Sequence, residues 1–234
     1  MSQTKKPIPE QVNGFMNQRR QILNKNSSFI VREAYKSLRT NVRFFLRGDG
    51  CKRFCITSAT AGEGKSITLL NLAISIAESG QKVLLIDADM RRPALARLLV
   101  EKAAPGLSNV LAGLEKAESA IRKDVYPDLD ILFSGDVPPN PSEILGSEEM
   151  ENLIREFSER YDYVLVDTPP VGVVSDACLV ANLLDGVLLL VRQGRTRKED
   201  VKRAVNNLQL TGTRILGYVL NGVTVEKTDP YGYY

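Results

Sequence analysis

The residues best suited to chemistry form one glycine-rich segment, Ala59-Thr60-Ala61-Gly62-Glu63-Gly64-Lys65-Ser66. Glycines allow successive backbone N–H groups to converge on phosphate oxygens, and a helix that starts near Lys65 points its positive end at them. The Lys65 ammonium can reach the β- and γ-phosphates of a nucleotide, and the Ser66 hydroxyl can bind Mg²⁺. The segment fits the Walker A pattern with alanine at the first glycine. It predicts a nucleotide-phosphate site, and an ordinary glycine turn is the alternative.

Three aspartates follow apolar runs elsewhere in the chain. Asp87 and Asp89 lie just past one run, and Asp167 ends another. Ligands of an open parallel sheet bind beyond the carboxyl ends of its strands, so we expect these acids around the same crevice as Lys65. Acids beside a triphosphate repel it unless a cation intervenes, which predicts Mg²⁺ held by Asp167, Asp87 and Ser66. Each aspartate alone is also typical of a helix cap after a strand.

The composition excludes other chemistry. The 234 residues include no histidine, which rules out serine–histidine and cysteine–histidine pairs and zinc sites built on imidazole. Cys51, Cys55 and Cys178 form no C-x-x-C pair and predict reduced thiols in a cytosolic protein. A net charge of +3 is too small to indicate nucleic-acid binding. The sequence contains no apolar run long enough to span a membrane and no secretory signal at residues 1–14.

Alternating strand and helix patterns must position these groups. Strand patterns cover residues 52–58, 82–87, 129–135, 161–167, 186–192 and 213–220. Helix patterns cover residues 65–79, 147–160, 176–184 and 198–210, with two or three short stretches between 93 and 123. Most strand patterns are continuous apolar runs, which indicates that both faces of the sheet are covered. We predict one α/β domain, doubly wound around a mainly parallel sheet.

The two ends of the chain differ from this pattern. Residues 1–28 show no hydrophobic periodicity and predict a mobile arm. The core domain is expected to cover 29–222 and a flexible tyrosine-rich tail 223–234. A stripe at helical spacing predicts that the core domain opens with a helix over about 29–46; it consists of Ile30, Ala34, Leu38, Val42 and Phe45.

Together, the segments GEGKS, LLIDADMRRP and VLVDTPP resemble the bacterial tyrosine kinases of capsule and exopolysaccharide export. The resemblance runs from about Ser28 to the end of the chain and includes PPNPSEIL at 138–145 and the tyrosine-rich tail. Min- and Par-type ATPases are wider relatives. They carry a second lysine just after the first loop glycine, where this chain has Thr60. This departure favours the kinase branch.

The resemblance implies an ATP- and Mg²⁺-dependent protein-tyrosine kinase. Lys65 would bind phosphate and Asp167 the metal, while Asp87 and Asp89 would serve catalysis in a division of roles that stays open. The nucleotide-binding residues would be Ala59, Thr60, Ala61, Gly62, Glu63, Gly64, Lys65, Ser66, Ile67 and, by analogy with related folds, Asn221.

The family's ring-forming motif E-x-x-R-x-x-R falls on Glu33, Lys36 and Arg39. Lysine at the middle position cannot make the two-pronged contact of arginine with a carboxylate, so we expect a weaker homo-oligomeric ring. A solvated helix face is the alternative reading of these residues. The resemblance also implies a membrane-embedded activator of the chain-length-regulator type and a phosphotyrosine phosphatase, but no nucleic acid. The chain would then be cytoplasmic and recruited to the inner face of the membrane by its partner.

Tyr231, Tyr233 and Tyr234 are the expected phosphate acceptors. The tail leaves the carboxyl end of the last strand, and about a dozen extended residues reach on the order of 40 Å, far enough to visit a neighbour's crevice. Aspartate cannot deprotonate tyrosine beforehand, because their pKa values of about 4 and 10 differ by about 8 kcal/mol. It can orient the hydroxyl and accept the proton late, which suits a loose phosphoryl-transfer transition state. A merely docked terminus is the alternative.

Three other functions use the same residues differently. A Min- or Par-type switch would couple ATP to dimerisation and leave the tail unmodified. An iron–sulfur carrier would need paired cysteines, which the sequence lacks. An adaptor with an inactive pocket would not need the intact set of Lys65, Ser66 and Asp167.

Overall fold

The computed structural model of the protein describes residues 19–224. Its strands are β1 (Lys52–Ser58), β2 (Val83–Asp87), β3 (Arg122–Tyr126), β4 (Leu129–Leu132), β5 (Tyr163–Asp167), β6 (Val187–Arg192) and β7 (Ile215–Asn221). Its helices are α1 (Phe29–Phe45), α2 (Lys65–Ala77), α3 (Leu95–Leu99), α4 (Leu107–Leu111), α5 (Ala117–Ala120), α6 (Pro141–Leu145), α7 (Glu148–Ser158), α8 (Asp176–Ala181) and α9 (Lys198–Leu210).

The strands form one sheet in the order β3-β4-β2-β5-β1-β6-β7. Every neighbouring pair is parallel except β3 with β4. The predicted doubly wound, mainly parallel α/β fold is thereby confirmed. In such a sheet the carboxyl ends of the parallel strands meet at one edge, and the loops at that edge form the ligand crevice.

Helices cover both faces of the sheet. α1, α2 and α3 pack on one face, and α7, α8 and α9 pack on the other. Every residue of α2 except Ser66 is buried, because α1 covers the side of α2 that faces away from the sheet. Burial on all sides fixes the direction of this helix and therefore the position of its N-terminus at the ligand edge.

Two elements were not predicted. The antiparallel edge strand β3 reads RKDVY, and none of its residues is fully buried, so it carries no apolar run. The five-residue helix α6 is too short for a periodic pattern. The predicted stripe on α1 was also wrong in part. Val42 is buried and Leu38 packs against the core as predicted, but Ile30 and Phe45 are 37% and 49% exposed, and Tyr35, which lies outside the stripe, packs against the core.

The arm that was expected to be mobile through residue 28 is anchored to the core at residues 21–23. Ile22 and Leu23 are buried in the core. The side chain of Asn71 on α2 accepts a hydrogen bond from Leu23 N and donates one to Gln21 O, both at 2.8 Å. An isolated apolar pair produces no periodicity, which is why the sequence pattern missed this contact. Within residues 19–224, no helix combines the length and apolar character needed to cross a membrane.

Candidate active site

The glycine-rich segment is the loop between β1 and α2. Gly62 and Gly64 have φ values of +75° and +100°, which side chains rarely adopt. A Cβ on Gly64 would also overlap the side-chain amide of Asn221. α2 begins at Lys65 without a side-chain cap, so its first N–H groups remain available to an anion. The loop has the geometry of a phosphate cradle.

The predicted acids stand beside this loop. β5 lies between β2 and β1, and Asp87 and Asp167 are paired neighbours in the β2–β5 register. Asp87 accepts hydrogen bonds from the backbone N–H groups of Asp89 and Leu95, both at 3.2 Å. Burial, followed by the charge of Asp167, raises the pKa of Asp87 well above its usual value. Two neighbouring buried carboxyl groups need a nearby positive charge before both can ionise.

Asp167 has fewer hydrogen-bond partners than Asp87. Both of its carboxylate oxygens are buried, and neither forms a hydrogen bond with any group in residues 19–224. Burial raises its pKa to about 6, although the charge of Lys65 and the nearby Ser66 hydroxyl lower it. Unpartnered buried oxygens beside an ammonium and a hydroxyl suit a hard cation.

The carboxylates alone do not form a complete metal cage. Among residues 19–224, no group of three or more Asp, Glu or Cys side chains is arranged to hold an ion. Mg²⁺ in nucleotide sites takes one or two carboxylates and completes its shell with substrate phosphates and water. Asp167, Asp87 and Ser66 fit that incomplete set.

A buried carboxylate braces the loop from behind. Glu63 Oε1 accepts hydrogen bonds from the hydroxyl groups of Thr60 at 2.7 Å and Thr196 at 2.6 Å. The carbonyl of Glu63 accepts one from Asn221 Nδ2 at 2.8 Å. The loop is therefore tied to the segment between β6 and α9 and to the end of β7. Thr196 was missed by sequence reasoning, and its only sequence signal is its place after a strand at the ligand edge.

A second brace holds the segment that follows β2. Arg91 Nε and Nη2 donate to the two oxygens of Asp176 at 2.8 and 3.2 Å, and Arg91 Nη2 also donates to Ser142 Oγ at 2.9 Å. Burial works to raise the pKa of Asp176, but the bonds from Arg91 and Ser142 outweigh it and the pKa is lowered. This contact joins the Asp89 segment to α6 and α8.

Known proteins share both the sequence and this fold. A family model described as an AAA domain matches residues 51–213. Tyrosine-protein kinase YwqD of Bacillus subtilis (strain 168) is 41% identical over 202 residues, which covers 86% of this chain and 85% of that protein. The chain belongs to the bacterial tyrosine-protein kinases.

Two solved structures agree with this assignment. The kinase domain of Escherichia coli tyrosine kinase ETK superimposes with a TM-score of 0.83 at 34% identity, over 98% of this chain and 86% of that one. The chimerical protein CapA2B2 gives 0.81 at 34% identity, over 86% of this chain and 88% of that one. The chain is accordingly a protein-tyrosine kinase with a nucleotide-binding loop.

The predicted ring residues of this bacterial tyrosine kinase lie on α1, apart from the crevice. On α1, Lys36 Nζ pairs with Glu33 Oε1 at 2.7 Å on an exposed face. Arg39 instead donates to the carbonyl of Ser75 on α2 and so anchors α1 to its own core. Their role in a ring stays a prediction. The three tail tyrosines lie outside the described residues.

We expect Glu63→Ala to weaken ATP binding by this kinase about tenfold, because a hydrogen-bonded charged group is worth about 1.5–3 kcal/mol. The substitution removes the hydrogen bonds from Thr60, within the loop, and from Thr196, outside it. Glu63→Gln keeps an acceptor oxygen and should retain most of the affinity. Titration with a fluorescent ATP analogue checks this. Equal weakening by both variants would show that the charge matters rather than the hydrogen bonds.

Proposed function

We propose that this kinase uses ATP and Mg²⁺ to phosphorylate Tyr231, Tyr233 and Tyr234 of a neighbouring copy. The observation that supports this most is the 2.8 Å hydrogen bond from Asn221 Nδ2 to Glu63 O. It joins the last residue of β7 to the phosphate loop. The chain therefore leaves β7 at the nucleotide edge, within reach of a neighbour's crevice.

The phosphates of ATP would lie on the N–H groups of the loop and at the start of α2, with Lys65 on the β- and γ-phosphates. Lys65 is only 7% exposed, and its charge acts on Asp167 of the crevice. Asp167, Asp87 and Ser66 would hold Mg²⁺, which when bound neutralises charge on the phosphates. Asn221 would lie on the adenine side.

The carboxylates would handle the phenol proton. Asp87 or Asp89 orients the tyrosine hydroxyl. The phenol oxygen forms its bond to the γ-phosphorus while the bond to the β–γ bridging oxygen breaks. The phenol proton passes to the carboxylate, and ADP leaves with the electron pair of the broken bond.

From the family resemblance we further propose the partners of this kinase and the process that it regulates. A membrane-embedded activator of the chain-length-regulator type would recruit the kinase to the inner face of the membrane. A ring formed through Glu33, Lys36 and Arg39 would bring each tail to the crevice of a neighbouring copy. A phosphotyrosine phosphatase would remove the phosphates from the tail tyrosines. The regulated process would be capsule or exopolysaccharide synthesis and export.

Incubation with γ-labelled ATP and Mg²⁺, followed by digestion and mass spectrometry, tests the proposal. Wild type should carry phosphotyrosine in the peptide that contains Tyr231, Tyr233 and Tyr234. The variant with all three changed to phenylalanine should lose that label. ATP hydrolysis with an unmodified tail would instead indicate a nucleotide-dependent switch and contradict the proposal.

A further inference from the structure

Two cations stand at the phosphate loop outside the mechanism proposed above. Arg195 donates through Nη1 to Gly62 O at 3.0 Å and through Nη2 to Ala61 O at 3.2 Å. Arg192 Nη1 donates to the same Gly62 carbonyl at 3.2 Å. Neither guanidinium forms an ion pair with a carboxylate of the described part of the chain. Both charges are therefore held there by neutral carbonyl groups.

These guanidiniums lie on the outer wall of the loop. The N–H and C=O of a peptide unit point in opposite directions, so a loop that turns N–H groups inward onto phosphates turns carbonyls outward. Arg195 is exposed to solvent on that outer side. The Arg192 side chain runs along Gly222, where an added Cβ would lie 3.5 Å from Arg192 Cγ. The pair thus extends from the phosphate loop to the root of the C-terminal segment.

The proposed acceptor segment carries acids at a suitable distance from its first tyrosine. Asp229 precedes Tyr231 by two residues and Glu226 precedes it by five, with Lys227 between them. At about 3.4 Å per extended residue, a tyrosine at the γ-phosphate places Asp229 about 7 Å away and Glu226 up to about 17 Å away. A pair of acids spread over that distance could contact a cation on the loop while the tyrosine occupies the crevice.

We propose that Arg192 and Arg195 select acceptor tyrosines that are preceded by acidic residues. The inference rests on the proposed function and specifies its substrate class. A guanidinium that keeps its carbonyl contacts still has N–H groups free to donate to a carboxylate, and such charge-assisted bonds are stronger than neutral ones. Glu226 and Asp229 would set the direction in which the acceptor segment crosses the loop. Their contacts would thereby place the tyrosine at the nucleotide crevice.

A two-chain assay separates enzyme from substrate. The enzyme is the full chain with Tyr231, Tyr233 and Tyr234 changed to phenylalanine. The substrate is the full chain with Lys65→Met, carrying either the native tail or Glu226→Gln with Asp229→Asn. We expect kcat/KM for the native tail to be about three- to tenfold higher, as two exposed charge pairs allow, with the preference shrinking in high salt.

Variants of the enzyme then show which arginine causes the preference for the native tail. Arg195→Gln keeps a side-chain donor but removes one of the two charges, so its preference for the native tail should fall below that of wild type while its Kd for ATP stays unchanged. Arg197→Ala is the matched control on the same loop, because Arg197 pairs with Asp200 on α9 instead. It should retain the preference.

Equal rates for the two tails with Arg195 intact, or a preference that Arg195→Gln leaves undiminished, would overturn the inference. So would a rate loss in Arg195→Gln that is wholly explained by a higher Kd for ATP. Fluorescence anisotropy of labelled tail peptides gives a readout independent of catalysis. Charge-dependent peptide binding that needs Arg195, without any phosphoryl transfer, would contradict the proposed function and support acid recognition. Loss of both charge-dependent peptide binding and phosphoryl transfer would contradict the acid recognition and the proposed function alike.

Discussion

Asp167→Asn should unfold at a higher temperature than wild type while losing phosphoryl transfer. Burial raises the pKa of Asp167 from 3.8 to about 6, so the folded protein holds that proton more tightly than the unfolded chain. Ionising the group as the pH rises from 3.8 to about 6 therefore removes stability, and the loss is complete above that range. Asparagine has no proton to lose. A shift of about two units corresponds to at most about 3 kcal/mol at pH 8.

The activity loss has a separate cause. The asparagine amide is a much poorer ligand for Mg²⁺ than a carboxylate, and transfer should fall on the order of 10³-fold, since a bound metal supplies several kcal/mol of charge stabilisation. Calorimetry without nucleotide at pH 8 and pH 4, together with a phosphotyrosine assay, measures both effects. The stability gain should be largest at pH 8.

Asp185→Asn is the matched control for Asp167→Asn. Asp185 accepts hydrogen bonds from Arg53 N at 2.7 Å and Arg53 Nη2 at 2.8 Å. Removal of a partnered carboxylate should lower the melting temperature and leave transfer intact. A lower melting temperature for Asp167→Asn at pH 8 would show that its carboxylate stabilises the nucleotide-free fold, and would contradict the interpretation of its unpaired oxygens.

Lys65→Met should abolish tail phosphorylation and preserve the fold. The side chain is nearly buried at the start of α2, and methionine matches its length without its charge. Loss of one preorganised charge at the transferring group typically costs about 10²–10³-fold in rate. The Lys65 charge also lowers the pKa of Asp167, so its loss should raise that pKa further and shift residual activity to higher pH.

Intact-mass measurement after expression checks the Lys65 prediction. Wild type should show steps of about 80 Da, one for each phosphoryl group, and Lys65→Met should show a single mass. Lys82→Met makes the same change at the amino end of β2, on the opposite edge of the sheet, and should keep the ladder. A ladder in Lys65→Met would remove Lys65 from the transfer site.

Much of the fold could be predicted because the signals are local. The apolar runs of β1, β2, β5 and β6 report burial on both sheet faces, and that burial requires flanking helices. β3 has no such run, because an edge strand exposes its side chains and needs only backbone pairing with β4. The prediction of the buried face of α1 was wrong in part because that face also includes Tyr35 and half-buried Arg39. Their polar ends keep them out of a pattern built on apolar residues alone.

In the site too, residues with local sequence signals could be predicted and residues that depend on long-range contacts could not. Lys65 and the three aspartates could be predicted because each lies at a strand or helix end that its own neighbours define. Thr196 and Arg195 lie 133 residues along the chain from their partners at Glu63 and Gly62, so no local pattern connects them. The pairing of Asp87 with Asp167 is likewise a matter of sheet register. Long-range contacts of this kind are visible only once the sheet is assembled.

The hydrogen bond between Asn221 and the loop carbonyl also has a mechanical meaning. Any pull on the polypeptide beyond Gly222 is delivered to Asn221, the last residue anchored in the sheet, and from there to the backbone of Glu63. A stretched or tethered terminus would tug on the loop that grips the nucleotide. The root of the tail and the phosphate loop are thus joined by one side-chain amide.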